Sequence, residues 1–147
     1  DVLGYYTNTI SKLINNIVVI SNISNNYEII RSLTAFVSFI NAKENAGQER
    51  AVLSNTFSAD KFGDGIYNKF IALVVAQNLY IKKKKKYVDP EELINYNNIT
   101  SGNKDFQEVE RMRAVAMENA FTGGFETSGT YWFATFLFIV KSTLVKR

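Results

Sequence analysis

Pro90 is the only proline in the 147-residue sequence, and glycine occurs just eight times. Proline breaks a helix by removing an amide donor and clashing with the preceding turn, and glycine weakens it, so breakers this scarce leave long stretches free to run as single elements. The spacing of apolar residues says which kind. Tyr6, Ile10, Leu13, Ile17 and Ile20 recur at alternating intervals of four and three, and Ile66, Phe70, Leu73, Val74 and Ile81 share a face in the same way. Most Ile and Val residues follow this helical period rather than strand alternation. The expectation is an all-α, antiparallel bundle of about five helices in a single domain, residues 1–147. The helices run from about Leu3 to Ser24, Tyr27 to Ser58, Gly65 to Lys86, Asp105 to Phe121, and Tyr131 to the end, the second being the long central one at close to 30 residues. Between the third and fourth, "YVDPEELINYNNITSGNK" reads as the least ordered part, with at most one short helical turn opening at Pro90.

Composition narrows the chemistry. At 46% hydrophobic residues the chain can bury a core. It has no Cys and no His, which removes thiol nucleophiles, the usual zinc sites and imidazole acid–base catalysis. Asp89, Glu91 and Glu92 cluster in one loop rather than facing each other across a cleft, so no enzyme, metal or cofactor is expected. The net charge of +3 comes largely from Lys82–Lys86. With no aromatic residue interleaved, that run reads as a solvated, fraying helix end, and no nucleic-acid partner is expected. The longest apolar run, "YWFATFLFIV", falls short of the roughly 20 residues a membrane span needs. The sequence opens without Met or a signal peptide and reads as a domain cut from a longer protein.

One stretch interrupts its own helix. On the second helix Ile29, Leu33, Phe36 and Ile40 define a face that continues through Glu44, Gly47, Ala51 and Ser54, with Lys43 and Arg50 on its shoulder and Glu49 pointing the opposite way. Gly47 costs about 1 kcal/mol relative to Ala in a helix interior, and offers close approach to another helix or a ligand. On the third helix Gln77 lines up with Phe70, Val74 and Ile81. On the fourth, Arg113 shares a face with Val109, Ala116 and Ala120 while Arg111 points away. A bundle built on these faces holds Arg50, Arg113, Gln77 and Glu44 in or near its interior. Two guanidiniums against one carboxylate leave charge for a small planar oxyanion, which the arginine fork suits. From the residues alone another reading stays open: the arginine stems lie on apolar surface with their heads in water, Glu44 pairs with Arg113, and Gln77 makes an ordinary bundle hydrogen bond.

"AKENAGQERAVLSNTFSADKF" resembles the signature of the NIT family, the nitrate- and nitrite-sensing domains of bacterial receptors, through Lys43, Glu44, Ala46, Gly47, Glu49, Arg50 and Ala51. "GYYTNTISKLINNI", "QNLY" (Gln77 to Tyr80), "VERMRAVA" (Val109 to Ala116) and "YWFATFLFIVKSTL", with Thr135, are similar to further family segments in the same order. The chain is short for a family whose longer members have two helical bundles, and Phe136 stands where a charged residue usually follows the Thr. The resemblance implies an all-helical sensor outside the cytoplasmic membrane, between flanking transmembrane helices and coupled to a chemotaxis, histidine-kinase or cyclic-nucleotide output module. It implies a nitrate or nitrite ligand held by Arg side chains: Arg50 by direct match, Arg113 by its place in its helix. The candidate ligand-binding set is therefore Arg50, Arg113, Gly47, Gln77 and Glu44, with signalling by helix displacement. Alternatives are the same kind of sensor for another small molecule or a partner protein, and a nucleic-acid-binding module resting on the lysine run alone. A homodimer is expected through the last helix, where Leu137, Phe138 and Leu144 face away from Trp132, Phe136 and Ile139.

Overall fold

The computed structural model describes the backbone of residues 2–142 and the side chains of residues 5–137. It is a helical bundle with no strand among the described residues: α1 Val2–Ile23, α2 Tyr27–Ala59, α3 Ile66–Tyr87, α4 Pro90–Thr100, α5 Lys104–Glu118 and α6 Gly129–Ser142. The central helix, α2, has 33 residues. It packs against α1, α3 and α6, and α5 packs against α6. Contacts fix the directions. Arg31 meets Tyr87 and Val88 while Glu49 meets Gln77, so α3 runs antiparallel to α2. Arg50 lies on Phe133 and Gly129 abuts Ser54, so α6 does too. No described helix is long and apolar enough to cross a membrane.

Local chemistry sets the boundaries of α2. The Asn26 side chain accepts from the amides of Glu28 and Ile29 at 2.9 and 3.3 Å, capping two otherwise orphaned donors. At the other end Asp60 takes a left-handed φ of 50°, and the amides of Asp60 and Lys61 return to the carbonyls of Phe57 and Thr56. The Asp60 carboxylate then accepts from the amides of Gly124 and Phe125 at 3.1 and 2.9 Å, pinning the loop between α5 and α6 to the end of α2.

The core lies around the C-terminal half of α2. Leu53, Phe57, Phe70, Val109, Met112, Ala116, Phe125, Trp132 and Phe136 form one buried cluster. Edge-on aromatic contacts set its geometry, with Phe57 5.4 Å from Phe125 and 5.8 Å from Trp132 between ring centroids. Gly129 lets α6 approach α2 closely: a Cβ there would collide with the Ser54 carbonyl and the Ser58 hydroxyl.

The all-α bundle with one long central helix is as expected, with six described helices for the expected count of about five, while several details differ. The segment after Pro90 forms an 11-residue helix because Asp89 caps it, accepting from the Glu92 amide at 2.7 Å, with Pro90 in its first turn and Glu91 and Glu92 complementing the helix dipole. The lysine run is solvated as expected at Lys82, Lys83, Lys85 and Lys86, and it stays helical through Tyr87. Arg31 donates to the carbonyls of Tyr87 and Val88 at 2.9 and 2.8 Å, closing the end of α3, and Lys84 is largely buried, paired with Glu92 at 3.0 Å. The buried stripe of α2 is Ala35, Ser38, Ala42, Glu49, Leu53, Thr56 and Phe57, roughly 150° round, nearly opposite the face traced through its bulky residues. Phe36 is 41% exposed, and Glu49 is fully buried rather than pointing away. On α1 the same error occurs: Ile14 and Ser21 are buried, while Tyr6, Leu13 and Ile20 are exposed. In this N-terminal half the buried positions are small residues, Ala35, Ser38 and Ala42, so the bulky stripe and the buried stripe are different faces. On α6, Leu137 is half-buried, and the side chains of Phe138, Ile139 and Leu144 lie outside the described residues.

Candidate functional site

Three helices meet at Glu49. Its buried carboxylate receives Arg113 Nε on Oε1 at 2.7 Å and Arg113 Nη2 on Oε2 at 2.6 Å, a bidentate pair between α5 and α2. Gln77 of α3 completes the knot: its Nε2 donates to Glu49 Oε2 at 2.6 Å and to the Leu73 carbonyl at 3.1 Å, and its Oε1 accepts from Arg113 Nη2 at 3.1 Å. Arg113 Nη1 reaches Glu110 at 2.5 Å. The Arg113 side chain is only 11% exposed. Burial alone would lower its pKa, but the hydrogen bonds and charge of Glu49 outweigh that and hold it above the usual guanidinium range. Every nitrogen of the guanidinium is engaged.

Arg50, the next residue on α2, is placed differently. Its guanidinium carbon stands 4.4 Å from the centroid of Phe133 on α6. It takes part in none of the ion pairs among the described residues. Its Nε is buried and has no hydrogen-bond partner there. Buried donors are rarely left in this state, since an unsatisfied one costs about 1–3 kcal/mol. The backbone that carries it is fixed: the Arg50 carbonyl accepts from Trp132 Nε1 at 3.0 Å and from the Ser54 hydroxyl at 2.7 Å. The site thus offers a guanidinium with an aromatic ring against it, carried on a fixed backbone, and a buried donor without an acceptor among the described residues.

The structure brings Arg113 and Gln77 together, but around Glu49 and not around Glu44 or Arg50. Glu44 accepts from Thr7 at 3.3 Å and Gln48 at 3.1 Å, linking α2 to α1. Gly47 has no neighbouring atom within 4 Å of where a Cβ would stand, so no helix uses it for close approach; that role falls to Gly129. Arg111 pairs with Glu108 at 2.8 and 2.7 Å on the exposed side, away from the core as its phase predicts. Glu49 and Phe133 are the participants missing from the sequence-derived set. Glu49 carries two signals: it lies one heptad from Ala42 and from Thr56, and it adjoins Arg50 within "KENAGQER".

A family model described as nitrate and nitrite sensing matches residues 1–136. No curated protein and no solved structure gives a significant match.

Proposed function

The chain belongs to the nitrate and nitrite sensing family, and from that premise we propose that it is the extracytoplasmic sensor domain of a transmembrane receptor in which Arg50 binds nitrate or nitrite. One observation carries the choice of residue. Of the two arginines on the helix faces that meet near α6, Arg113 is consumed by Glu49, Glu110 and Gln77, whereas Arg50 keeps a buried Nε without an acceptor. A planar oxyanion in the guanidinium plane can take two parallel hydrogen bonds, one of them from that Nε. The open space beside Gly47, one turn earlier on the same helix, leaves room for an approach. Arg113 and Gln77 enter through Glu49: they hold α5 and α3 to the segment of α2 that bears Arg50.

Binding would act by population shift. An anion at Arg50 neutralises the charge at the α2–α6 contact, favouring one placement of α6 on α2 over another. Glu44, bonded to Thr7, would pass an α2 displacement to α1. Helices α1 and α6 would lead to the flanking membrane segments, and the output would be a chemotaxis response or that of another receptor class. What supports a homodimer is the apolar face of α1 that the described residues leave exposed, with Tyr5, Leu13, Ile20 and Ile23 on it.

The test is calorimetric titration of nitrate and of nitrite into the wild type and Arg50→Ala. The wild type binds one of them saturably and Arg50→Ala does not. Equal binding by both proteins would place the site elsewhere, and no binding by the wild type would remove the nitrate reading.

A further inference from the structure

A cavity of about 350 Å³, partly open to solvent, lies beside the Glu49–Gln77–Arg113 knot and is lined by residues of α2 to α6. Arg50 does not line it. Its walls are aromatic and aliphatic: Phe39 from α2, Ile81 from α3, Tyr96 from α4, Phe106 and Val109 from α5, and Phe136 from α6. The volume lies within the range of sites that hold small organic ligands, and predominantly apolar walls with few polar groups are their usual make-up. A nitrate ion, with four heavy atoms, would leave most of it empty.

The polar groups at the cavity define the charge of an occupant. Lys43, Lys85 and Arg113 line it against one carboxylate, Glu110. Glu49 and Glu110 together exceed the charge of Arg113 by one, so with the two lysines the surroundings of the cavity keep a single net positive charge, enough for one carboxylate. Neither lysine takes part in an ion pair among the described residues. Lys43 Nζ lies 5.8 Å from the Phe39 centroid, and Lys85 Nζ lies 4.9 Å from that of Tyr96, so each ammonium stands beside an aromatic wall. Burial lowers the pKa of Lys43, the mark of an ammonium partly stripped of water and short of a counter-charge.

We propose that this cavity is a second binding site, separate from Arg50, for a small aromatic monocarboxylate. The ring would lie among Phe39, Phe106 and Phe136, and the carboxylate would pair with Lys43 at the mouth, with Lys85 adding charge. Such a ligand touches α2, α3, α4, α5 and α6 together, so it would bias the same helix arrangement that an anion at Arg50 acts on. The proposal stands on the cavity and its lysines and does not depend on nitrate binding.

Benzoate is the probe, titrated calorimetrically into the wild type, Lys43→Gln and Ala46→Leu, with benzyl alcohol as the uncharged counterpart. Ala46 lines the cavity, so leucine there would fill it. The wild type binds benzoate saturably, and benzyl alcohol at least tenfold more weakly. Lys43→Gln weakens benzoate by roughly tenfold or more, the loss expected for one charge-assisted contact, and Ala46→Leu abolishes it. Nitrate affinity, measured in parallel, is the same in all three proteins, which separates the two sites. Absence of saturable benzoate binding, equal binding by Lys43→Gln, or equal binding of benzyl alcohol each overturns the proposal. If Ala46→Leu does not fold by circular dichroism, Lys43→Gln decides, since its stem can stay where the lysine stem lies.

Discussion

Arg113 and Arg50 both reach aromatic rings of α6, at 6.0 Å from Phe136 and 4.4 Å from Phe133, yet their surroundings have opposite chemistry. Around Arg113 each charge and each hydrogen-bond donor has a partner, drawn from three helices. Around Arg50 the backbone is satisfied and the guanidinium is not. A buried ion pair adds little net stability compared with an apolar replacement, but losing one member is costly, because the other is left charged and dry. The comparison therefore separates a guanidinium that fixes how helices meet from one that is available to a ligand. It also explains why two arginines that look alike in the sequence need not share a role.

Breaking the satisfied region should have the largest effect. Glu49→Ala leaves Arg113 and Gln77 without their acceptor and should destabilise the fold by about 3–5 kcal/mol, read from urea unfolding. The Gly129 contact comes next. Gly129→Ala drives a methyl into the Ser54 carbonyl and should cost about 1–3 kcal/mol as α6 shifts, with nitrate affinity falling too because Phe133 and Trp132 move with it. Arg50→Ala should change stability by less than about 1 kcal/mol, since no ion pair is lost and an unsatisfied donor is removed, while nitrate binding disappears. Arg111→Ala should have the smallest effect, at most a few tenths of a kcal/mol, as for an exposed pair. Its sign can be checked by pH. The hydrogen bond from Arg111 holds the Glu108 carboxyl below its ordinary range. The pair's contribution is therefore present above the ordinary carboxylate pKa and is lost as pH falls through the lowered one, so wild type and variant should converge in acid.

Helix number and extent were largely legible because proline and glycine are scarce and the caps are local. Asn26 before α2 works through bonds to its own neighbours. Helix α4 was missed for a related reason: its polar composition resembles a loop, whereas Asp89, Pro90, Glu91 and Glu92 form a start signal that outweighs composition. Helix phase was not legible in α1 and the N-terminal half of α2. Burial there follows Ala35, Ser38 and Ala42, and a search for bulky residues selects the exposed face. Arg50, Arg113 and Gln77 stood out in the sequence because they are polar residues on or beside apolar stripes, and the structure places Arg113 and Gln77 together at Glu49. Glu49 was assigned outward from the misplaced stripe, and without it the charge pairing was drawn around Glu44, which faces Thr7 and Gln48.

The most direct test of this division is the nitrate-dependent shift of the thermal unfolding midpoint, in wild type and Arg50→Lys, against chloride at equal ionic strength. A ligand that binds only the folded state at a hundred times its Kd stabilises by about 2.7 kcal/mol, which is readily measured. Lysine keeps the charge but loses the fork. The account predicts equal midpoints for the two proteins in chloride, a rise with nitrate in the wild type, and a much smaller rise or none in Arg50→Lys. An undiminished nitrate shift in Arg50→Lys would contradict it.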